Sequence, residues 1–308
     1  MTLPQRLFVG EFGDFELKRL KVFRCVVECG GFALAEAELG TSTSAISKQL
    51  SDLEARLGVR LCERGRSGFA LTKEGKIVYE ASKGLFLAFE DFRSKINSFQ
   101  STISGDLYLG LIDAIVTSRQ SLLQETLKSF TSMHPRVNLK IISGSAVEID
   151  RLVQDRRLHV GVTLERPGQK DIEACRLFAE ENALYCGKDH PLFAMADEDL
   201  KPEALKEHKF VRHGYAQADL EAVQQFQFSE TSLSNSTEGV LFLIRTGNYL
   251  GYLPTHFAQQ WEDSGEIRAL IPTMANKKTG VCVIVNKQTA DTPMIRAFLD
   301  FLSGEAST

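Results

Sequence analysis

The chain has 308 residues, 43% hydrophobic and 25% charged, and its 36 Lys and Arg are set against 40 Asp and Glu. This length predicts about two domains, and the net charge of −4 excludes a uniformly basic nucleic-acid coat protein. No window is apolar enough for a membrane span, and the N-terminal segment lacks the pattern of a secretory signal, so we expect a cytoplasmic protein with no membrane partner.

Three short helices are predicted before residue 60. The first covers residues 16–29, with Asp14 as its expected N-cap, because apolar side chains recur there at helical spacing. A second helix covers residues 32–39, and a third runs over about 43–57 with Ser42 as its N-cap. Two helices joined by a short glycine-containing turn predict a helix-turn-helix motif.

The third helix has one apolar and one polar face. Ile46, Leu50 and Leu53 repeat at helical spacing, which predicts packing against the domain core. The helix start and the opposite face carry groups that can reach DNA phosphates and base edges. The candidate DNA contacts on this helix are Ser42, Thr43, Ser44, Ser47, Lys48 and Gln49. The alternative is a solvated, hydroxyl-rich face with no ligand.

A small basic hairpin is predicted directly after this helix. Two short apolar runs flank a tip rich in Arg, Gly and Ser at residues 64–68, a pattern typical of a β-hairpin wing. Arg64 and Arg66 are candidate contacts to DNA phosphates. The alternative is a solvated loop. Residues 56–76 hold six Lys or Arg and two Glu, so the positive charge is local.

A long amphipathic helix is predicted over residues 73–100. Its apolar positions, among them Leu85, Phe92 and Ile96, recur every three to four residues, and its length is about 40 Å. A long apolar stripe is stable when it is buried against another surface, and the same helix of a second subunit can provide that surface. We therefore expect a dimer through this helix. The alternative is packing of the helix on its own C-terminal domain.

Beyond residue 100, strand and helix patterns alternate. Residues 106–163 read as β-α-β-α-β, which predicts a parallel sheet with right-handed crossovers. A second α/β unit begins near residue 165, with candidate strands at 174–178 and 183–187. The strand at 281–286 is expected to return to the first sheet.

Three motifs together resemble the N-terminal domain of LysR-type transcriptional regulators: residues 32–40 (FALAEAELG), 44–50 (SAISKQL) and 57–64 (LGVRLCER). The length, the long helix and the α/β remainder extend this resemblance to nearly the whole chain. The sequence departs from the family pattern at Cys62, where Phe is usual, and at Thr43, where Gln is common, so the family's operator contacts do not transfer at Thr43.

The resemblance implies a homotetramer, built as a dimer of dimers, that binds promoter DNA and a small-molecule effector, with RNA polymerase as a further candidate partner. The implied fold is an N-terminal α winged helix-turn-helix with a long linker helix, followed by an α/β two-lobed, periplasmic-binding-protein-like effector domain. The expected boundaries are 14–72 for the DNA-binding domain, 73–100 for the linker helix, 105–163 with 268–302 for lobe I, and 164–267 for lobe II.

Ligands of open α/β sheets bind at the carboxyl ends of strands, near helix N-termini. The polar residues at these places, and hence the candidate effector contacts, are Asp113, Thr117, Ser118, Ser143, Ser145, His213, Tyr215, Asn235 and Thr237. The carboxylate of Asp113 favours an effector with an ammonium group, such as an amino acid or related amine. The alternatives are that Asp113 caps a helix or faces solvent, and that the Ser and Thr residues are N-caps.

Signatures of catalysis and of metal binding are absent from the sequence. There is no GxGxxG, GxxxxGK[ST], GxSxG or HExxH motif, so we expect no enzyme, no cofactor and no metal. The six cysteines are scattered and are expected to be free thiols. The alternative is a redox sensor in which Cys175 and Cys186 meet across adjacent strands.

Overall fold

The computed structural model describes residues 12–65, 68–98, 103–118, 123–166, 168–214 and 217–303. Its N-terminal elements are α1 (Asp14–Glu28), α2 (Phe32–Leu39), α3 (Thr43–Leu57), β1 (Cys62–Gly65), β2 (Gly68–Leu71) and the long α4 (Lys73–Ser98). β1 and β2 pair antiparallel. This order is that of a winged helix-turn-helix followed by a linker helix, as the sequence predicted.

The core of this domain joins α1 to α3. Phe23 of α1 and Leu50 and Leu53 of α3 are fully buried in one cluster. Ser42 caps α3 as predicted, because its hydroxyl accepts a hydrogen bond from the backbone N–H of Ala45 at 3.4 Å. The predicted N-cap of α1 is wrong, since α1 begins at Asp14 and the preceding Gly13 is the N-cap.

The C-terminal part alternates strands and helices. Its elements are β3 (Gly105–Ile112), α5 (Leu123–Met133), β4 (Val137–Gly144), α6 (Ala146–Gln154), β5 (Val160–Leu164), β6 (Ile172–Gly187), β7 (Lys209–His213), α7 (Gln217–Phe226), β8 (Glu230–Ser234), α8 (Thr237–Arg245), β9 (Tyr249–Pro254), α9 (Thr255–Asp263), β10 (Ile267–Ala269), α10 (Pro272–Ala275), β11 (Lys277–Asn286) and α11 (Pro293–Ser303). Short 3₁₀ turns cover Ile115–Thr117 and Pro202–Glu207.

One sheet runs through both lobes of this domain, in the order β4-β3-β5-β11-β6-β9-β7-β8, with β10 paired to β6. In lobe I, β3 lies parallel between β4 and β5. In lobe II, β7 lies parallel between β8 and β9. The antiparallel strands β6 and β11 pair with each other and connect the lobes. This arrangement confirms the predicted two-lobed α/β fold with two crossovers.

The strand β6 corrects one prediction about lobe II. The sequence predicted two strands, at 174–178 and 183–187, but residues 172–187 form one strand. Its first part pairs with β11 and its last part with β9 and β10. The polar residues between the two apolar runs belong to the point where β6 passes from one lobe to the other, and they do not form a turn.

The C-terminal boundary of lobe II also differs from the prediction. Residues 268–275 were assigned to lobe I, but Leu270, Ile271 and Ala275 are buried in the same cluster as Leu184 and Phe210 of lobe II. The chain therefore returns to lobe I along β11. The elements α7, β8, α9, β10 and α10 were not predicted, and β10 and α10 have only three and four residues.

The proposed pairing of Cys175 and Cys186 is wrong. Both residues lie on β6, and at about 3.3 Å per residue a separation of 11 positions puts them about 36 Å apart. Cys175 is exposed and Cys186 is buried. Burial raises the pKa of the Cys186 thiol to about 12, which makes it a poor nucleophile.

Candidate nucleic-acid interface and effector site

The polar face of α3 is exposed. Ser44, Lys48 and Ser51 follow one another at helical spacing and are solvent-accessible, whereas Ile46 and Leu50 on the other face are fully buried. Gln49 and Ser47 are half-buried at the margins. An exposed helix face with hydroxyl, amide and ammonium groups is the surface that entry into a DNA major groove requires.

The N-terminus of α3 is partly occupied by a carboxylate from α2. Glu36 accepts hydrogen bonds from the Thr43 backbone N–H, at 3.0 Å, and from the Thr43 hydroxyl. Sequence reasoning missed Glu36, because no spacing rule relates residues on two helices separated by a turn. A DNA phosphate at this helix end would compete with Glu36, so the Lys48 face is the stronger part of the candidate interface.

A carboxylate of α3 holds the start of the hairpin β1–β2. Glu54 accepts hydrogen bonds from the backbone N–H groups of Leu61, at 2.8 Å, and Cys62, at 3.3 Å. Arg64 belongs to β1, but its side chain and the whole of Arg66 lie outside the described residues. Their contacts to DNA phosphates therefore stay predictions.

The apolar stripe of α4 is exposed on the single chain. Leu85, Phe92 and Ile96 are 37%, 64% and 48% accessible. Phe86 and Leu87, on another face of the same helix, are buried. Exposed aromatic and aliphatic side chains at helical spacing are the pattern expected of a helix that packs on a second subunit.

In lobe I, the candidate effector residues lie at the carboxyl edge of β3 and β4. Ile112 and Gly144 are register partners at the ends of these parallel strands. The residues after or at these ends are Asp113, Thr117, Ser118, Ser143 and Ser145. Ser143 is exposed and Ser118 is buried. Ser145 caps α6 by accepting from the Glu148 backbone N–H at 3.3 Å, the structural role that was its alternative.

In lobe II, His213 ends β7 and pairs in register with Ser234 at the end of β8. Asn235 follows and is exposed, and Thr237 begins α8 and is buried. The buried carboxylate of Asp219 accepts from the His213 backbone N–H at 2.7 Å and lies 3.1 Å from its Nδ1. Asp219 thus fixes the orientation of the imidazole. Tyr215 lies outside the described residues.

Asp113 joins the two lobes. Its carboxylate accepts a hydrogen bond from the backbone N–H of Thr237, the first residue of α8. The carboxylate therefore lies at the positive end of the α8 dipole. The Ser236 hydroxyl caps the same helix by accepting from the Gly239 N–H at 3.1 Å. Two residues predicted to face the effector, Asp113 and Thr237, are thus in direct contact, and Asp113 has the helix-capping role that was its alternative.

Thr117 also contacts the second lobe, through a histidine that sequence reasoning missed. The Thr117 hydroxyl lies 2.7 Å from Nδ1 of His256, and Nε2 of His256 lies 2.9 Å from a carboxylate oxygen of Glu180. His256 is in the first turn of α9, and Glu180 is buried where β6 crosses between the lobes. The position of His256, just after the end of β9, is the same signal that identified Asp113 after β3.

Two family models match the chain: "Bacterial regulatory helix-turn-helix protein, lysR family" over residues 17–76 and "LysR substrate binding domain" over residues 100–307. The chain is also 36% identical, over 95% of its length and 96% of the relative's, to the HTH-type transcriptional activator BauR of Pseudomonas aeruginosa. The chain belongs to the LysR family of transcriptional regulators. The α3 face and the two-lobed domain of this LysR-type regulator therefore lie in the family's DNA-binding and substrate-binding domains.

Solved structures have the same fold. The full-length regulator CbnR in complex with its target DNA is 20% identical, with a TM-score of 0.63 over 95% of this chain and all of that one. The full-length OxyR C199D from Pseudomonas aeruginosa is 18% identical, with a TM-score of 0.58 over 96% of this chain and 95% of that one. These likenesses extend the fold assignment across both domains of the LysR-type regulator.

The described residues lack two kinds of feature, a metal-ion cluster and a membrane-spanning helix. Within them, no three or more His, Cys, Asp or Glu residues are grouped to hold a metal ion. In the same part of the chain, no helix has both the length and the apolar character of a membrane span.

The hydrogen bonds of His256 are expected to stabilise the effector domain of this regulator. Replacing His256 with alanine removes hydrogen-bond partners from Thr117 and from Glu180, whose side chain is 6% exposed. We expect the free energy of unfolding of the effector domain to fall by about 1–3 kcal/mol, because a buried carboxylate loses a partner. Urea unfolding followed by the fluorescence of Trp261, the only tryptophan in the chain, measures this change.

The matched control for this variant is Gln259→Ala. Gln259 is exposed on the same helix and donates to Asp263 at 2.8 Å. We expect its free energy of unfolding to change by less than about 0.5 kcal/mol. Equal unfolding midpoints for His256→Ala and Gln259→Ala would contradict a stabilising role for the Thr117–His256–Glu180 contacts.

Proposed function

We propose that this LysR-type regulator binds promoter DNA in the cytoplasm as a dimer of dimers, and that a small effector bound between lobes I and II controls that binding. The observation that carries the proposal is the hydrogen bond from the backbone N–H of Thr237, at the start of α8, to the Asp113 carboxylate. This bond connects lobe I to lobe II through the same groups that would contact a ligand. The protein acts through binding and needs no catalytic step, with RNA polymerase as a further partner at the promoter.

The effector in this proposal carries an ammonium group. Asp113 is half-buried and presents a carboxylate beside a helix N-terminus. An amine would pair with the carboxylate, and an acceptor group on the same molecule would meet the N–H groups at the start of α8. An amino acid or a related amine has both groups. Such a ligand would replace the hydrogen bond between Asp113 and Thr237. Its amine would pair with the Asp113 carboxylate, and its acceptor group would accept from the Thr237 N–H.

Effector binding would be coupled to DNA binding if lobes I and II can take two relative arrangements. An effector that prefers one arrangement shifts the population toward it, by no more than its difference in affinity for the two. In an oligomer joined through α4, this shift changes the spacing of the paired α3 helices. Since half-site spacing on DNA is fixed by the helical repeat, such a change alters operator affinity.

The proposed DNA binding is tested by fluorescence anisotropy. A labelled duplex from upstream of the protein's own gene is titrated at several salt concentrations, beside a scrambled duplex of the same length. We expect binding that depends on sequence and weakens linearly in the logarithm of salt concentration. Equal binding of both duplexes, or none at low salt, would contradict the proposal.

The proposed amine effector is tested by thermal unfolding. A panel of amino acids and primary amines is screened for a rise in melting temperature, since a ligand at 100 times its Kd adds about 2.7 kcal/mol. For the amine that stabilises the wild type, we expect Asp113→Asn to weaken affinity about tenfold or more, because a charge-assisted hydrogen bond is lost.

The control is Asp199→Asn, which removes an exposed carboxylate of lobe II. We expect it to bind the same amine with wild-type affinity. If Asp113→Asn and Asp199→Asn bind equally well, or if only compounds without an amine stabilise the protein, the ammonium assignment is wrong.

A further inference from the structure

Two cysteines at the end of α1 have adjacent sulfur atoms. Cys25 and Cys29 are four residues apart, and their Sγ atoms are 3.8 Å apart. Both side chains are half-buried and pack against the cluster of Val26, Ala35 and Ile46, which joins α1, α2 and α3. The DNA-binding domain therefore contains a preformed pair of thiols.

A disulfide does not fit this pair. Residues four apart on a helix have Cβ atoms about 5–6 Å apart, whereas a disulfide needs about 3.5–4.5 Å. Cys25 lies within α1 and Cys29 is its C-cap, with the Cys29 N–H donating to the Cys25 carbonyl at 2.9 Å. Closing a direct S–S bond would therefore distort the last turn of α1.

A bridge of one atom between the sulfurs does fit. Two bonds of about 2.3 Å, the zinc–thiolate length, hold two sulfurs about 3.8 Å apart at a tetrahedral angle. A structural zinc site needs four ligands, and in the described residues no group of three candidate ligands exists. A trivalent arsenic atom forms bonds to sulfur of similar length and needs only two protein sulfurs, since its own substituent occupies the third position.

The protonation state of Cys25 follows from its burial. Burial raises the pKa of the Cys25 thiol to about 11, and the neighbouring Cys29 thiol and the carboxylates of Glu38 and Glu28 act in the same direction. At neutral pH Cys25 is therefore a thiol. The thiol proton is therefore present and can leave with an arsenic-bound hydroxyl as water.

We propose that Cys25 and Cys29 form a dithiol site for a trivalent arsenical on the DNA-binding domain. Two S–H bonds and two As–O bonds of an arsenic hydroxide break, and two As–S bonds form. Each released hydroxyl leaves as water with one thiol proton. Arsenic stays trivalent, so the reaction needs no oxidant or reductant. The site is independent of the effector site between lobes I and II.

The test uses the full-length protein and phenylarsine oxide, one equivalent per chain, in excess glutathione as a competing monothiol. Intact mass spectrometry is expected to show one phenylarsenic adduct per chain, which dithiothreitol removes. We expect Cys25→Ser and Cys29→Ser each to lower the adduct at least about tenfold, because the second sulfur acts at high effective concentration. Cys175→Ser, which removes an exposed single thiol, should keep the adduct.

A second measurement avoids variants that fail to fold. Trypsin releases residues 25–48 as one peptide, since Arg24 precedes it and Lys48 ends it, and it contains both cysteines and no other. The arsenic of the wild-type adduct is expected on this peptide, with both thiols protected from alkylation. An adduct elsewhere, one that survives Cys25→Ser, or none in glutathione would overturn the proposal.

Discussion

Replacing Lys48 with alanine is expected to weaken binding of the operator by about 10- to 100-fold and to leave the oligomer intact. Lys48 is exposed at the centre of the polar face of α3, between Ser44 and Ser51. Ile46, Leu50 and Leu53 lie on the opposite face of α3 and are buried. The substitution therefore removes a group that can reach DNA without changing the packing of the helix.

The salt dependence of the Lys48→Ala variant tells which part of the DNA Lys48 contacts. If Lys48 meets a phosphate, the slope of log affinity against log salt falls by about one; if it meets a base edge, discrimination between bases falls instead. Lys18→Ala is the matched control, because Lys18 is an exposed lysine of α1 paired with Asp14 at 2.8 Å. Equal operator affinity for Lys48→Ala and wild type would remove Lys48 from the interface.

The DNA-binding domain was largely predictable because its signals are local. The stripe of Ile46, Leu50 and Leu53 and the N-cap at Ser42 are read within one helix, and the structure has both. The Glu36 contact to Thr43 was not predictable, since it depends on the turn between α2 and α3. That turn uses Gly40 at φ 59°, a left-handed conformation that glycine adopts without strain.

In the effector domain, site residues at the ends of strands could be predicted from the sequence. Those at the point where β6 passes between the lobes could not. Asp113 and Thr237 were both selected by their positions at the carboxyl ends of strands, but their contact depends on how the lobes meet. Glu180 was missed because it interrupts the apolar pattern of β6. Its partner His256 is 76 positions away in sequence. The contact that stabilises this buried carboxylate therefore forms only when the chain folds.

Phe92→Asp is expected to dissociate the subunits that pair through α4, raising the dimer Kd by at least about 100-fold. Phe92 is 64% accessible on the single chain and belongs to the same stripe as Leu85 and Ile96. A carboxylate placed in an apolar seam loses its hydration without gaining a partner, and this costs several kcal/mol. Sedimentation velocity at micromolar concentration measures the change directly.

Phe15→Asp is the control for this substitution, because Phe15 is 62% accessible on α1 and lies outside the α4 stripe. We expect the control to sediment as the wild type does.

Phe92→Asp should also lose operator affinity, since two α3 helices on one duplex bind paired half-sites only when a dimer holds them. An unchanged sedimentation coefficient would place the subunit contact elsewhere. Dissociation with full operator affinity would instead show that one α3 face suffices for recognition, so the two measurements separate assembly from DNA reading.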